Sequence, residues 1–166
     1  GTATVEMLDF LAECIRYGIS GCVAGATSSG KATLAGWVLT TVPDSKRIFT
    51  IENGSRELDL VRVKEGKVMN RVIHTLTRDS ENEKQTVDQD DLLDMALRFN
   101  PDIVCVGEMR SSEAYSAQEA ARTGHTVLTT IHSNSCESTY RRRVTLCKRK
   151  YDISDETLMS LVTEAF

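Results

Sequence analysis

The sequence predicts an α/β domain, a mostly parallel β-sheet covered by helices on both faces. Three observations predict it. Short apolar runs alternate with segments of helical periodicity along the whole chain. The runs have the length and apolar character of buried strands. A glycine-bracketed loop, Gly25-Ala26-Thr27-Ser28-Ser29-Gly30-Lys31, joins one such run to a helical segment.

The elements follow in order. Residues 5–17 place Leu8, Leu11 and Ile15 at helical spacing, with Thr4 available as a cap. Residues 19–24 are a short apolar run ending in glycine, read as a buried strand. Residues 31–41 form a helix stopped before Pro43, because the residue preceding a proline is pushed out of the helical region. Residues 47–52 are a second strand, carrying Ile48, Phe49 and Ile51. Residues 53–67 are charged and hold Gly54 and Gly66, a turn-rich connection. Residues 68–77 read as a strand and 78–85 as a polar surface loop. Thr86 and Gln89 have the spacing of a capping box and open a helix through Ala96 and Leu97, ending before Pro101. A strand over 103–106, a helix from Ser111 or Ser112 to about Arg122, a strand over 127–131 and helices over 137–148 and 155–166 complete the chain.

Composition fits this picture. The 166 residues suit a single domain over 1–166, with 40% hydrophobic and 27% charged residues. A net charge of -4 gives no global reason to expect nucleic acid as a partner. The five cysteines (Cys14, Cys22, Cys105, Cys136 and Cys147) are odd in number and contain no C-x-x-C, which argues against a disulfide framework and a zinc site. They point to a reducing, cytoplasmic compartment. No apolar stretch reaches the ~20 residues that span a bilayer.

The chemistry begins at the loop. Gly25-x-x-x-x-Gly30-Lys31 follows a strand and precedes a helix, the context a phosphate-binding loop requires. Its glycines let the backbone curl so that N–H groups face a polyphosphate, and the helix dipole adds favourable charge at the same point. Ala26, Thr27, Ser28 and Ser29 keep the loop small, and Lys31 is a compact cation for the β- and γ-phosphates. The position after the lysine departs from the motif. A Ser or Thr hydroxyl there ligates Mg²⁺, and Ala32 has none. Thr33 is the next hydroxyl, but one residue along a helix turns its side chain about 100° away, toward the α-phosphate.

Two strands end in carboxylates. The run 103–106 leads to Gly107-Glu108, and Thr50-Ile51 leads to Glu52-Asn53. At the C-terminal edge of a parallel sheet such acids sit where ligands bind and can divide metal binding from water activation. His125 and His132 flank the strand at 127–131 at opposite ends, which does not describe a paired metal site. His74 reads as a structural histidine. The basic residues Arg141, Arg142, Arg143, Lys148, Arg149 and Lys150 read as a solvated helix face.

In this order the motifs resemble the type II/IV secretion ATPase family, the hexameric motors of conjugation, secretion and pilus systems. The resemblance runs from Gly1 to Phe166. Gly25 to Lys31 matches the family's phosphate loop. Thr50-Ile51-Glu52-Asn53 looks like its acidic box with Asn53 in place of an acid. Arg98, Pro101-Asp102 and Val106-Gly107-Glu108-Met109-Arg110 look like its Arg-x-x-Pro-Asp and Gly-Glu-x-Arg segment. Thr123-Gly124-His125 and Thr129-Thr130-Ile131-His132-Ser133-Asn134 look like its His box.

The resemblance implies a RecA-like ATPase domain, truncated at both ends relative to the full-length family protein. It implies ATP and Mg²⁺ as ligands, with nucleotide bound by Gly25 through Thr33. The metal is implied to be held through water by Glu108 and Glu52, with no hydroxyl ligand at Ala32. Glu108, Glu52, His132 and His125 are implied as catalytic residues and Arg110 as a sensing cation. It further implies a homohexameric ring in the cytoplasm, attached to the bacterial inner membrane through partners of the secretion or conjugation machinery. Ala32 and Asn53 weaken the metal side, and so support a rival reading as a nucleotide-binding module without hydrolysis. A small-molecule kinase is a second rival, for which no arginine-rich lid is visible.

Overall fold

The computed structural model describes residues 3–166; Gly1 and Thr2, where the resemblance begins, lie outside the described residues. The chain runs α1 (Val5–Arg16), β1 (Gly21–Gly25), α2 (Lys31–Thr40), β2 (Arg47–Glu52), β3 (Val63–Lys64), β4 (Lys67–Val68) and β5 (Arg71–Leu76). It continues with α3 (Gln89–Arg98), β6 (Ile103–Val106), α4 (Glu113–Arg122), β7 (Thr126–His132), α5 (Cys136–Cys147) and α6 (Asp155–Ala165). Five strands form one sheet in the order β1-β7-β6-β2-β5, every neighbouring pair parallel. Because the strands run the same way, β1, β2, β6 and β7 all deliver their C-terminal residues to one edge.

Each strand divides its side chains between two apolar layers, with the period of two that a pleated strand imposes. Phe49, Ile51, Val104, Val106, Val127 and Ile131 face α3, α4, α5 and α6, where Leu93, Ala117, Leu146 and Leu158 are fully buried. Ile48, Ile103, Cys105 and Leu128 face the other way, onto Ile15 of α1 and Ala35, Val38 and Leu39 of α2. The sheet is therefore parallel with helices on both faces, as the sequence predicts. Cys105, sealed in the second layer, has its thiol pKa pushed up to about 12 by burial.

Three local expectations are corrected. The strand expected over 68–77 divides. Val68 belongs to the antiparallel hairpin β3–β4, and β5 starts at Arg71. Asn70 makes the break, since its side chain accepts from the Arg62 N–H at 2.9 Å and donates to the Leu60 carbonyl at 2.7 Å. The capping box of α3 is formed by Asp88 and Asp91, not by Thr86 and Gln89. Charged carboxylates are the stronger acceptors at a helix N-terminus, while the Thr86 hydroxyl bonds the Ser80 carbonyl instead. At α4, Ser112 precedes the helix but its hydroxyl donates to Asp90. The Glu113 carboxylate takes over, accepting the backbone N–H groups of Arg110 and Ser111. Thr4 caps α1 through the Met7 N–H, as expected.

The basic segment is also corrected. Arg141 lies on the solvated face, paired with Glu137 at 2.8 Å, but Arg143 is only 1% exposed. On α5 it faces the sheet, and its guanidinium lies 3.5 Å from the Phe166 ring centroid. None of its three nitrogens has a hydrogen-bonding oxygen among the described residues.

Candidate nucleotide-binding site

The phosphate loop is built by β1 and α2 together. β1 ends at Gly25, and α2 starts at Lys31 behind Gly30, whose φ of 87° lies in the left-handed region that a β-carbon disfavours. Gly25 lies close to the loop's own side chains: a β-carbon there would stand 2.6 Å from Ser29 Oγ, which would have to turn away. Residues 31–40 turn helical immediately, so the free N–H groups of the first turn of α2 face the loop. Lys31 is 9% exposed. Its ammonium donates to the Ala26 carbonyl at 2.7 Å and lies 3.4 Å from His132 Nδ1.

The other strand ends converge on it. β7 runs three residues past its last pairing with β6, which sets His132 in register with Gly25 of β1. His132 Nε2 lies 2.8 Å from Glu108 Oε1, and Arg110 donates to Glu108 Oε2 at 2.6 Å. A carboxylate can only accept and an ammonium only donate. Both His132 contacts are therefore satisfied by the tautomer that carries its hydrogen on Nε2. Glu108 itself follows β6, whose turn is tied to β7 by the Thr130 hydroxyl on the Gly107 carbonyl at 2.7 Å and the Met109 N–H on the Thr130 carbonyl at 2.9 Å.

Glu52, at the end of β2, is 4% exposed. Its Oε1 accepts the N–H groups of Glu57 at 2.7 Å and Leu58 at 3.0 Å, so the connection after β2 folds back onto it. Its Oε2 is buried without a hydrogen-bond partner among the described residues. Together these groups line a cleft of about 460 Å³ that also includes Thr27, Ser28, Ser29, Ala32 and Thr33.

His125 does not join them. It precedes β7 and lines a different cleft with Asp102 and Gly124, at the opposite edge of the sheet. The seven residues of β7 span about 20 Å, which separates His125 from the loop and corrects its inclusion in the candidate catalytic set. His74 lies near the cleft without lining it. The sequence recommends nothing near it, yet pairing of β2 with β5 sets it beside Thr50. Its Nδ1 is 2.7 Å from Thr50 Oγ1 and 4.0 Å from Glu52 Oε2. Burial, followed by the Arg56 guanidinium, lowers its pKa below the ordinary value. No signal within its own strand could reveal it, because the contact depends on which strand lies alongside.

The donor set can be weighed for a divalent cation. Among the described residues no group of three His, Cys, Asp or Glu side chains is arranged to hold a metal. Both Glu108 oxygens are engaged, and Ala32 offers no oxygen. The Glu52 side chain lines the cleft and brings a carboxylate to it, with Oε2 buried and unpartnered among the described residues. That set fits Mg²⁺ in the form that keeps most of its waters and is held chiefly by phosphate oxygens.

A parallel sheet with helices on both faces, and a glycine-bracketed phosphate loop at its C-terminal edge, define a phosphate-loop nucleotide-binding fold. The family model of the type II/IV secretion system proteins matches residues 6–164, and the chain belongs to that family. An uncharacterized protein of Methanocaldococcus jannaschii is 34% identical over 142 residues, which cover 86% of this chain and 24% of that protein. The crystal structure of the VirB11 ATPase from the Brucella suis type IV secretion system superposes with a TM-score of 0.78 at 25% identity, over 95% of this chain and 44% of that one. The pilus retraction motor PilT with bound ADP superposes with a TM-score of 0.68 at 26% identity, over 99% of this chain and 44% of that one. The chain thus spans less than half the length of each of these relatives. No helix among the described residues is long and apolar enough to cross a membrane.

Proposed function

We propose that this chain binds ATP with Mg²⁺ in the cleft at the C-terminal sheet edge and hydrolyses it, as the single motor domain of a longer secretion, conjugation or pilus-assembly ATPase. The observation that carries the reading is the continuous polar path from Lys31 through His132 to Glu108 and Arg110. It links the phosphate loop to the carboxylate that ends β6.

Gly25 to Gly30 and the first turn of α2 present N–H groups to the phosphates, and Lys31 neutralises the charge that grows on the β- and γ-phosphates during transfer to water. The Glu52 and Glu108 carboxylates would hold Mg²⁺ through water, and the cation would supply further neutralisation of phosphate charge. Glu108 and Glu52 are the two carboxylates that can orient the attacking water and accept its proton. His132 fixes one Glu108 oxygen and Arg110 the other. Displacing Arg110 or His132 as the phosphates change frees Glu108, which is how the path senses nucleotide state. The full-length protein works as a homohexamer in the cytoplasm, bound to inner-membrane machinery through partners rather than through nucleic acid.

Isothermal titration of the purified chain with ATP, alongside Lys31→Ala, tests the site. Binding that Lys31→Ala abolishes is the expected outcome, and equal affinity for the two proteins sinks the assignment. Ala32 favours a second reading, a nucleotide-binding module that does not hydrolyse. Mg²⁺-dependent phosphate release by the wild type and by Ala32→Thr separates the two. Turnover by both proteins, faster in the variant, supports the enzyme; turnover by the variant alone supports the module.

A further inference from the structure

Glu52 and His74 each carry a buried polar atom that nothing satisfies, Oε2 and Nε2 respectively, among the described residues. Leaving such an atom unpaired is unfavourable, so two within one small cluster call for a physical account. The cluster is Thr50, Glu52 and His74. Thr50 and Glu52 are two residues apart on β2 and share a face of the sheet. His74 is the register partner of Thr50 on β5. Glu52 lines the nucleotide cleft, and His74 does not.

The hydrogen on the His74 ring can be placed. If Nδ1 carries it, that N–H donates to the Thr50 hydroxyl and turns its positive end toward Glu52 Oε2, 4.0 Å away. Nε2 is then left as a bare acceptor. The other tautomer buries an unpaired N–H at Nε2 and turns a lone pair toward a carboxylate. Both differences favour hydrogen on Nδ1.

Glu57 and Leu58 hold only Oε1, and the His74 ring nitrogen Nδ1 lies 4.0 Å from Oε2. We propose that His74 is a positioning residue for Glu52, its Nδ1–H poised between the Thr50 hydroxyl and the buried carboxylate oxygen and setting the orientation of the Glu52 carboxylate at the cleft wall. A small rotation of the ring carries the N–H from Thr50 to Glu52. The inference rests on the reading of the cleft as an ATP site.

Three substitutions separate positioning from packing. In His74→Asn an amide can place an N–H near the position of Nδ1. In His74→Gln the amide reaches toward Nε2 instead, and His74→Ala has neither. ATP affinity, kcat, KM and thermal midpoint are measured for each. We expect kcat to fall about tenfold in His74→Ala and His74→Gln, the scale of losing an outer-shell orienting contact, and to be largely restored in His74→Asn. KM should stay within about twofold of wild type throughout. A kcat that follows the thermal midpoint across the three variants, or that none of them changes, overturns the positioning role while leaving the ATP site standing. A wild-type chain that does not bind ATP overturns both.

A readout independent of turnover is the ¹⁵N spectrum of the His74 ring in the wild type and in Glu52→Gln. The expected result is an Nδ1–H tautomer whose Nδ1 signal moves in Glu52→Gln. An Nε2–H tautomer, or a signal indifferent to that substitution, removes the proposal even for a chain that binds nucleotide without hydrolysing it.

Discussion

His132 Nε2 stands 2.8 Å from Glu108 Oε1, while Nδ1 of the same ring stands 3.4 Å from the Lys31 ammonium. One imidazole thus joins a cation from the first turn of α2 to an acid at the end of β6. The two groups lie 77 residues apart in sequence (Lys31 to Glu108) and meet only because β7 inserts between β1 and β6.

Removing that bridge should separate binding from turnover. His132→Ala leaves Gly25 to Lys31 intact, so ATP affinity is expected to stay within a few-fold of wild type. Phosphate release is expected to fall by about 10²-fold, the lower end of the contribution of a positioned proton-transfer network. Paired titration and steady-state measurements check this. Equal losses in affinity and turnover would show His132 acting on binding alone.

Arg143 offers a prediction about stability. Its guanidinium is buried against the Phe166 ring, with the thiols of Cys22 and Cys147 as its nearest polar company. Burial holds its pKa below the ordinary value, and desolvation also raises that of the Cys147 thiol to about 11. A buried cation without an oxygen partner is replaced at a gain by an apolar chain of similar length. Arg143→Met is expected to raise unfolding stability by about 1–4 kcal/mol in urea titrations. A loss of stability would show that the cation meets an acceptor in solution.

Asp102 gives the pH dependence. It accepts the Arg47 N–H at 2.8 Å and the Lys46 ammonium at 3.1 Å, and the Arg47 bond chiefly lowers its pKa. A lowered folded-state pKa stabilises above the unfolded value, and that contribution disappears as pH falls through the folded one. The side chain is 39% exposed, so solvent screens the ion pair and the effect is small. Asp102→Asn is expected to lower the unfolding midpoint modestly at pH 7 and to begin converging with wild type below about pH 4. A difference that persists unchanged at pH 3 would assign the effect to packing instead.

The sequence by itself determined the strand–helix alternation, the phosphate loop and the strand-end acids. Those signals are local. Four-residue apolar runs such as Ile103 to Val106 state their burial directly, and a loop such as Gly25 to Lys31 carries its backbone conformation in its glycines. Two other decisions were not local. Whether His74 or His132 meets the acids of the cleft depends on strand order and register, and neither is written within any one strand. Arg143 carries the same lesson, since Arg141 and Arg143 look alike in sequence and only the rotation of α5 against the sheet exposes one and buries the other. Tertiary structure therefore moved His74 to the side of Glu52 and buried Arg143, because long-range packing fixes side chains that local periodicity leaves equivalent.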